Sequence, residues 1–119
     1  MAVTHLPTRN EIDPRHTWND ASVYTDPDAW AADLEALSAE VDRFAARQGS
    51  LSAGPKELLA ALRERDKLSQ RAEMVIVYAY MGQAVETTDQ AATARVGRGM
   101  GVLGRLMGAL SFVEPELLA

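Results

Sequence analysis

The chain has 119 residues, a net charge of −5, 47% hydrophobic residues and no cysteine. This length allows one domain at most, and the absence of cysteine excludes disulfide frameworks and sulfur-based zinc sites and fits a reducing, cytoplasmic compartment. The acidic balance argues against nucleic acid or an anionic membrane surface as a partner. The longest apolar run, residues 74–81, is far shorter than the roughly 20 residues that a membrane-spanning helix needs.

Residues 1–25 show no sustained period and are interrupted by two prolines, which predicts an irregular N-terminal arm. A first helix is predicted to begin where Asp26 supplies an N-cap and Pro27 suits the first helical position, and to end by Gly49. Apolar residues then recur at spacings of three and four along one face, with charged residues on the other faces. This seam, a predicted helix-packing surface or interface, consists of Trp30, Leu34, Leu37, Val41 and Phe44.

Residues 55–85 carry a second helical pattern that follows a Ser, Gly and Pro start signal. Residues 63–67 within it are charged on nearly every side and must face water. Residues 74–81 are apolar all round, which predicts burial on several faces. A run of this length with β-branched residues also fits a buried strand, although no turn signal precedes it and the helical pattern continues into it.

A third helix is predicted over residues 90–111, after a cap supplied by residues 87–89. Its apolar stripe consists of Val96, Met100, Leu103, Met107 and Leu110. Beside the stripe runs a glycine line, defined as Gly97, Gly101, Gly104 and Gly108. Because a glycine inside a helix costs about 1 kcal/mol relative to alanine, the line predicts a close backbone contact that offsets the loss. The alternative is a weak, partly frayed helix.

The motifs that carry chemistry give no recognisable active site. Gly99, Gly101 and Gly104 match the spacing of a dinucleotide-binding loop, but no buried strand precedes them and no acidic residue follows at the required distance. His5 and His16 do not form the His-Glu-x-x-His pattern that places two imidazoles on one helix face. The sequence also lacks a Gly-x-Ser-x-Gly elbow and a cysteine nucleophile, so we expect no catalytic or metal-binding residue in this chain.

Short segments along most of the chain resemble, in their order and spacing, the N-terminal region of the oligoendopeptidase F family of zinc metallopeptidases. The segments are residues 9–13 (RNEID), 17–18 (TW), 26–30 (DPDAW), 78–81 (YAYM), 86–89 (ETTD) and 111–118 (SFVEPELL). The sequence departs from the family after Trp18, where residues 19–21 (NDA) lack the usual leucine, and in its richer glycine content in the third helix.

The resemblance implies an all-helical enzyme whose N-terminal region arches over a deep channel that admits oligopeptide substrates. A later domain of such an enzyme supplies a zinc-binding His-Glu-x-x-His helix and a further glutamate ligand, and neither is present in this sequence. Zinc is therefore implied as a cofactor of the full-length enzyme only. The implied partners are the oligopeptide substrate and the chain's own missing C-terminal catalytic domain.

We predict an all-α fold, an antiparallel array of three long helices, with an arm over residues 1–25 and a helical domain over residues 26–119. A further helix is expected to open at residues 115–118, which indicates an incomplete chain. The predicted function is the lid and scaffold region of an oligopeptide-cleaving zinc endopeptidase, which is not an enzyme by itself. The rival prediction is a stand-alone helical module that dimerises or binds a partner helix through the seam or the glycine line.

Overall fold

The computed structural model describes residues 5–119, so residues 1–4 of the predicted arm lie outside the described part. The described arm is a series of short 3-10 helices at Arg9–Glu11, Pro14–His16 and Asp20–Ser22. The Arg9 guanidinium joins two turns of the arm, because it donates to the Trp18 carbonyl (3.0 Å) and lies 3.4 Å from the Asp20 carboxylate. The arm is therefore ordered by local polar contacts.

The first long helix, α1, runs over Pro27–Ala45. It begins where the sequence predicts, since the Asp26 carboxylate accepts a hydrogen bond from the Ala29 amide (2.7 Å) and proline occupies the first helical position. The chain leaves the helix through a turn in which Gly49 has a φ of +88°, a backbone conformation that side chains disfavour.

Helix α2 runs over Pro55–Val85, helix α3 over Gln90–Leu110 and a short helix, α4, over Val113–Leu118. Residues 74–81 lie within α2, so the strand alternative is wrong. The Asp89 carboxylate caps α3 by accepting from the amides of Ala91 (2.9 Å) and Ala92 (3.2 Å). The Glu116 carboxylate of α4 accepts from the amides of Gly49 and Leu51, which ties the end of the chain to the turn between α1 and α2.

The three long helices pack against one another in an up-down-up order, which confirms the predicted all-α fold; the described residues form no strand. Trp30 and Asp33 of α1 contact Val75 and Arg71 of α2, so these helices run antiparallel. The array is elongated, with extents of 69 × 25 × 22 Å. None of its described helices combines the length and hydropathy required to cross a membrane.

The buried face of α2 is narrower than predicted. Val75, Tyr78 and Ala79 are buried, but Met74 and Val77 are 41% and 46% exposed. Within the described chain α1, α3 and Tyr24 of the arm cover one side of residues 74–81. Cover on the other faces stays a prediction.

The buried face of α3 is also rotated from the predicted stripe. Its buried residues are Ala92, Gly99, Val102 and Leu106. Met100 and Met107 of the predicted stripe are 44% and 66% exposed, whereas Val96, Leu103 and Leu110 pack at the edge of the core. The rotation follows from Gly99, where a Cβ would lie only 3.1 Å from the Ile76 Cδ1 atom, so the helices approach most closely on the face with the smallest residues.

Candidate functional site

The seam of α1 faces the core of the array. All five of its side chains are between 0% and 3% exposed, so they contact α2 and α3 of the same chain. The Trp30 indole Nε1 donates to the Val75 carbonyl of α2 (2.9 Å), and the Arg98 guanidinium of α3 lies 5.3 Å from the centre of the Trp30 ring. Trp30 thus joins all three helices by a hydrogen bond and a cation–π contact.

The glycine line of α3 faces solvent. A Cβ placed at any of its four positions would meet nothing within 4 Å, so the line makes no close contact within the described chain. Its role as an interface stays a prediction. The glycine that does permit close packing is Gly99, whose position in the sequence matches only the spacing of a nucleotide-binding loop.

Ion pairs close the groove between α1 and α2. Arg71 lies in its centre and contacts the carboxylates of Asp33 (2.6 Å) and Glu40 (2.7 Å). Arg47 and Glu64 form a second pair at 2.7 Å. Burial of the Arg71 guanidinium lowers its pKa, but the hydrogen bonds to both carboxylates outweigh burial and the pKa is raised, so Arg71 keeps its charge.

The groove between α1 and α3 is closed in the same way. Arg98 of α3 lies 3.4 Å from the Glu35 carboxylate, and Arg105 donates to Ser38 and pairs with Asp42. The two arginines are seven positions apart on α3 and face partners seven positions apart on α1, which fixes the parallel register of these helices.

The groove between α2 and α3 differs from the other two, because no ion pair crosses it within the described residues. It has a volume of about 320 Å³ and mostly apolar walls. Its lining residues, which define the α2/α3 groove, are Ser69, Ala72, Glu73, Ile76, Leu103, Leu106, Met107 and Leu110. Glu73 is the one charged residue among them. A groove with mostly apolar walls suits apolar side chains better than a charged substrate.

A polar pocket of about 360 Å³ lies where the arm meets α1, α2 and α3. Its walls include the ion pair of Arg9 and Asp20 and the side chain of Arg95, whose Nε is buried without a hydrogen-bond partner. No sequence motif indicates that Arg95 lines a pocket, because a single arginine in a helical pattern cannot be distinguished from a solvent-exposed charge. The pocket has several carboxylates on its walls and no arrangement of nucleophile and base.

A tyrosine pair covers one side of this pocket. The rings of Tyr24 and Tyr78 meet edge to face at 5.3 Å, and the Tyr24 hydroxyl donates to the Asp33 carboxylate (2.5 Å). Burial, together with that hydrogen bond, raises the pKa of Tyr24 well above its ordinary value. Burial also raises the pKa of Tyr78. Both phenols therefore stay neutral at physiological pH and serve packing and hydrogen bonding.

Zinc chemistry finds no support in the described side chains. Within residues 5–119, no group of three or more His, Cys, Asp or Glu side chains comes together in a way that could hold a metal ion. His5 and His16 both lie exposed on the arm. The residues present do not fit a zinc ion, so no step of a reaction is assigned to them.

Comparison with known proteins shows a distant relation. The chain is 22% identical over 114 residues to oligopeptidase PepF of Bacillus subtilis. The match covers 96% of this chain but 17% of that protein, so the chain spans about one sixth of the length of the relative. No family model matches the chain, and no solved structure matches it. The chain is thus similar to a small part of an oligopeptidase, in agreement with the resemblance seen in its sequence segments.

Proposed function

We propose that this chain is the N-terminal helical lid and scaffold region of a cytoplasmic zinc endopeptidase that cleaves oligopeptides. The catalytic residues and zinc ligands then lie elsewhere in a longer polypeptide. The observation that carries the proposal is the 22% identity to PepF, which extends over 96% of this chain and so is not confined to one motif. The absence of cysteine supports the cytoplasmic assignment, because reducing compartments do not favour disulfides.

The shape and chemistry of the chain support a scaffold role. A long, thin helical array provides a wall that narrows a channel, so that short unfolded peptides enter and folded proteins do not. A zinc ion held by the remainder of such an enzyme would supply a Lewis acid for peptide hydrolysis. In this proposal the present chain acts on access to the channel, and the ion is held by other parts of the longer polypeptide.

The test compares the chain with the longer polypeptide encoded by its reading frame. We expect the longer polypeptide to contain a His-Glu-x-x-His helix and to cleave a fluorescence-quenched oligopeptide. A chelator should abolish cleavage and added zinc should restore it, and a folded protein should not be cleaved. The 119-residue chain alone should neither bind zinc tightly nor cleave. Stoichiometric zinc binding by this chain, or a longer polypeptide without zinc-dependent cleavage, would contradict the proposal.

A second candidate function, a stand-alone helical dimerisation or interaction module, is favoured by the exposed glycine line of α3. Light scattering separates it from the first. A uniform dimer with a sharp thermal transition supports the module, whereas a loose monomer that binds a hydrophobic dye supports a region that needs the rest of a larger protein.

A further inference from the structure

The three grooves between the long helices differ in whether ion pairs cross them. Ion pairs cross both grooves that α1 forms, and these pairs seal the underlying apolar residues from water. The α2/α3 groove has mostly apolar walls and no such seal among the described residues. An apolar groove that no ion pair closes is a surface suited to a further element.

The side of α3 next to the groove extends this surface. Met107, which lines the groove, is 66% exposed, and Met100, two helical turns earlier on the same side, is 44% exposed. The glycine line follows them on the helical wheel. From Gly97 to Gly108 this exposed side carries no charged residue, because Arg98 and Arg105 both point toward α1. Flexible methionines beside bare backbone form a surface that adapts to an apolar partner.

The amount of exposed surface also exceeds that of a compact monomer. The accessible surface is 7991 Å², against about 6300 Å² for a compact monomer of this mass. The radius of gyration is 18.8 Å, against roughly 13.5 Å for a compact domain of this length. The relative to which the chain is similar is about six times longer, so a protein of that kind has ample further chain to cover the excess.

We infer that one helix from the remainder of a longer polypeptide docks lengthwise into the α2/α3 groove. The inference rests on the proposed function, which supplies that remainder. The docking helix presents aliphatic side chains at helical spacings of three, four and seven to the groove. It also carries a Lys or Arg opposite Glu73, since this carboxylate is the one charge in the groove and forms no salt bridge within the described chain.

The test uses introduced thiols, because this chain contains no cysteine. Met107→Cys places a thiol in the groove, and Ala39→Cys places the matched control on the exposed outer face of α1. Each variant is prepared in the 119-residue chain and in the longer polypeptide, where any other cysteine is replaced by serine. The rate of reaction with a soluble disulfide reagent is then measured. In the 119-residue chain we expect similar rates at both positions.

In the longer polypeptide we expect the thiol at position 107 to react at least about tenfold more slowly than in the 119-residue chain. The reaction rate of the thiol at position 39 should be the same in both. Glu73→Lys should lower the melting temperature of the longer polypeptide and leave that of the short chain nearly unchanged, with Glu73→Gln as the milder control. Equal reactivity at both positions in the longer polypeptide overturns the inference. So does protection at position 107 that appears in the short chain together with a doubled mass, because a second copy then fills the groove.

Zinc-dependent cleavage by the same longer polypeptide separates the two proposals. Cleavage with an unprotected thiol at position 107 contradicts the docking and leaves the proposed function intact. Protection without cleavage supports the docking and contradicts the zinc endopeptidase. A reading frame that stops at Ala119 contradicts both.

Discussion

Gly99 and Gly104 lie on the same helix and provide a matched test of which glycines the fold requires. A Cβ at Gly99 would lie 3.1 Å from the Cδ1 atom of Ile76 and 3.7 Å from the Cγ1 atom of Val75, whereas a Cβ at Gly104 would meet nothing within 4 Å. Both glycines are inside α3. The same substitution therefore probes the same helix preference in opposite surroundings.

We expect Gly104→Ala to stabilise the chain by about 1 kcal/mol, because alanine loses less conformational entropy than glycine when a helix forms. For 119 residues the entropy of unfolding is roughly 250 cal/mol/K, so the melting temperature should rise by about 4 °C. Gly99→Ala gains the same preference but displaces Ile76 by a few tenths of an ångström, so the two effects should nearly cancel. Gly99→Leu should destabilise by about 1–3 kcal/mol through overpacking, and Gly104→Leu should not.

Thermal unfolding followed by far-UV circular dichroism gives the melting temperatures, and urea unfolding gives the free energies. Light scattering on each variant controls for self-association. A loss of stability in Gly104→Ala would refute the reasoning, because something in the isolated chain would then cover the glycine line. Equal gains at both positions would refute the close approach of α2 to Gly99.

Further predictions concern the core and the network between α1 and α2. Trp30→Phe removes the donor to the Val75 carbonyl and leaves a cavity, so urea unfolding should show a loss of about 2–3 kcal/mol; an unchanged value contradicts the buried bond. Arg71→Met keeps the apolar stem and removes two ion pairs, so it should cost about 1–2 kcal/mol at low salt and less at high salt; no salt dependence contradicts the network. The raised pKa of Tyr24 means that its neutral form stabilises the fold below its ordinary pKa of about 10, and that this contribution is lost as pH rises through the folded value. The difference between the absorbance titrations of the wild type and of Tyr24→Phe reports the ionisation of Tyr24, which should occur above a pH of about 10. Ionisation of Tyr24 at its ordinary pKa would contradict its burial.

The long helices could be predicted because their signals are local. Asp26 with Pro27 and Asp89 fix the starts of α1 and α3 through contacts within one turn, and the seam of α1 follows directly from its period. The face of α3 could not be predicted by the same reasoning. A periodicity argument assigns the large apolar residues to the buried face. Helix α3 instead buries the small residues Ala92 and Gly99, which lets its backbone approach that of α2.

The α2/α3 groove could not be predicted from the sequence either. Arg71, Arg98 and Arg105 each occur among charged residues that a helical wheel assigns to solvent, and nothing local distinguishes them from Lys67 or Arg63. Their pairing with α1 depends on the arrangement of three helices. The α2/α3 groove is recognised only once those pairs are placed, because it is defined by the absence of any pair across it among the described residues.

The glycine line has opposite consequences for a monomeric chain and for the dimer of the second candidate function. Four open glycines in one helix lower its stability by about 2–4 kcal/mol relative to alanine, a large share of the 5–15 kcal/mol typical of a domain. A bare backbone edge, however, lets an opposing helix approach closely and gain dispersion contacts along its length. Gly104→Ala should therefore stabilise a monomeric chain but weaken a dimer that packs through the line. A gain of equal size at low and at high protein concentration would mean that no helix lies against the line.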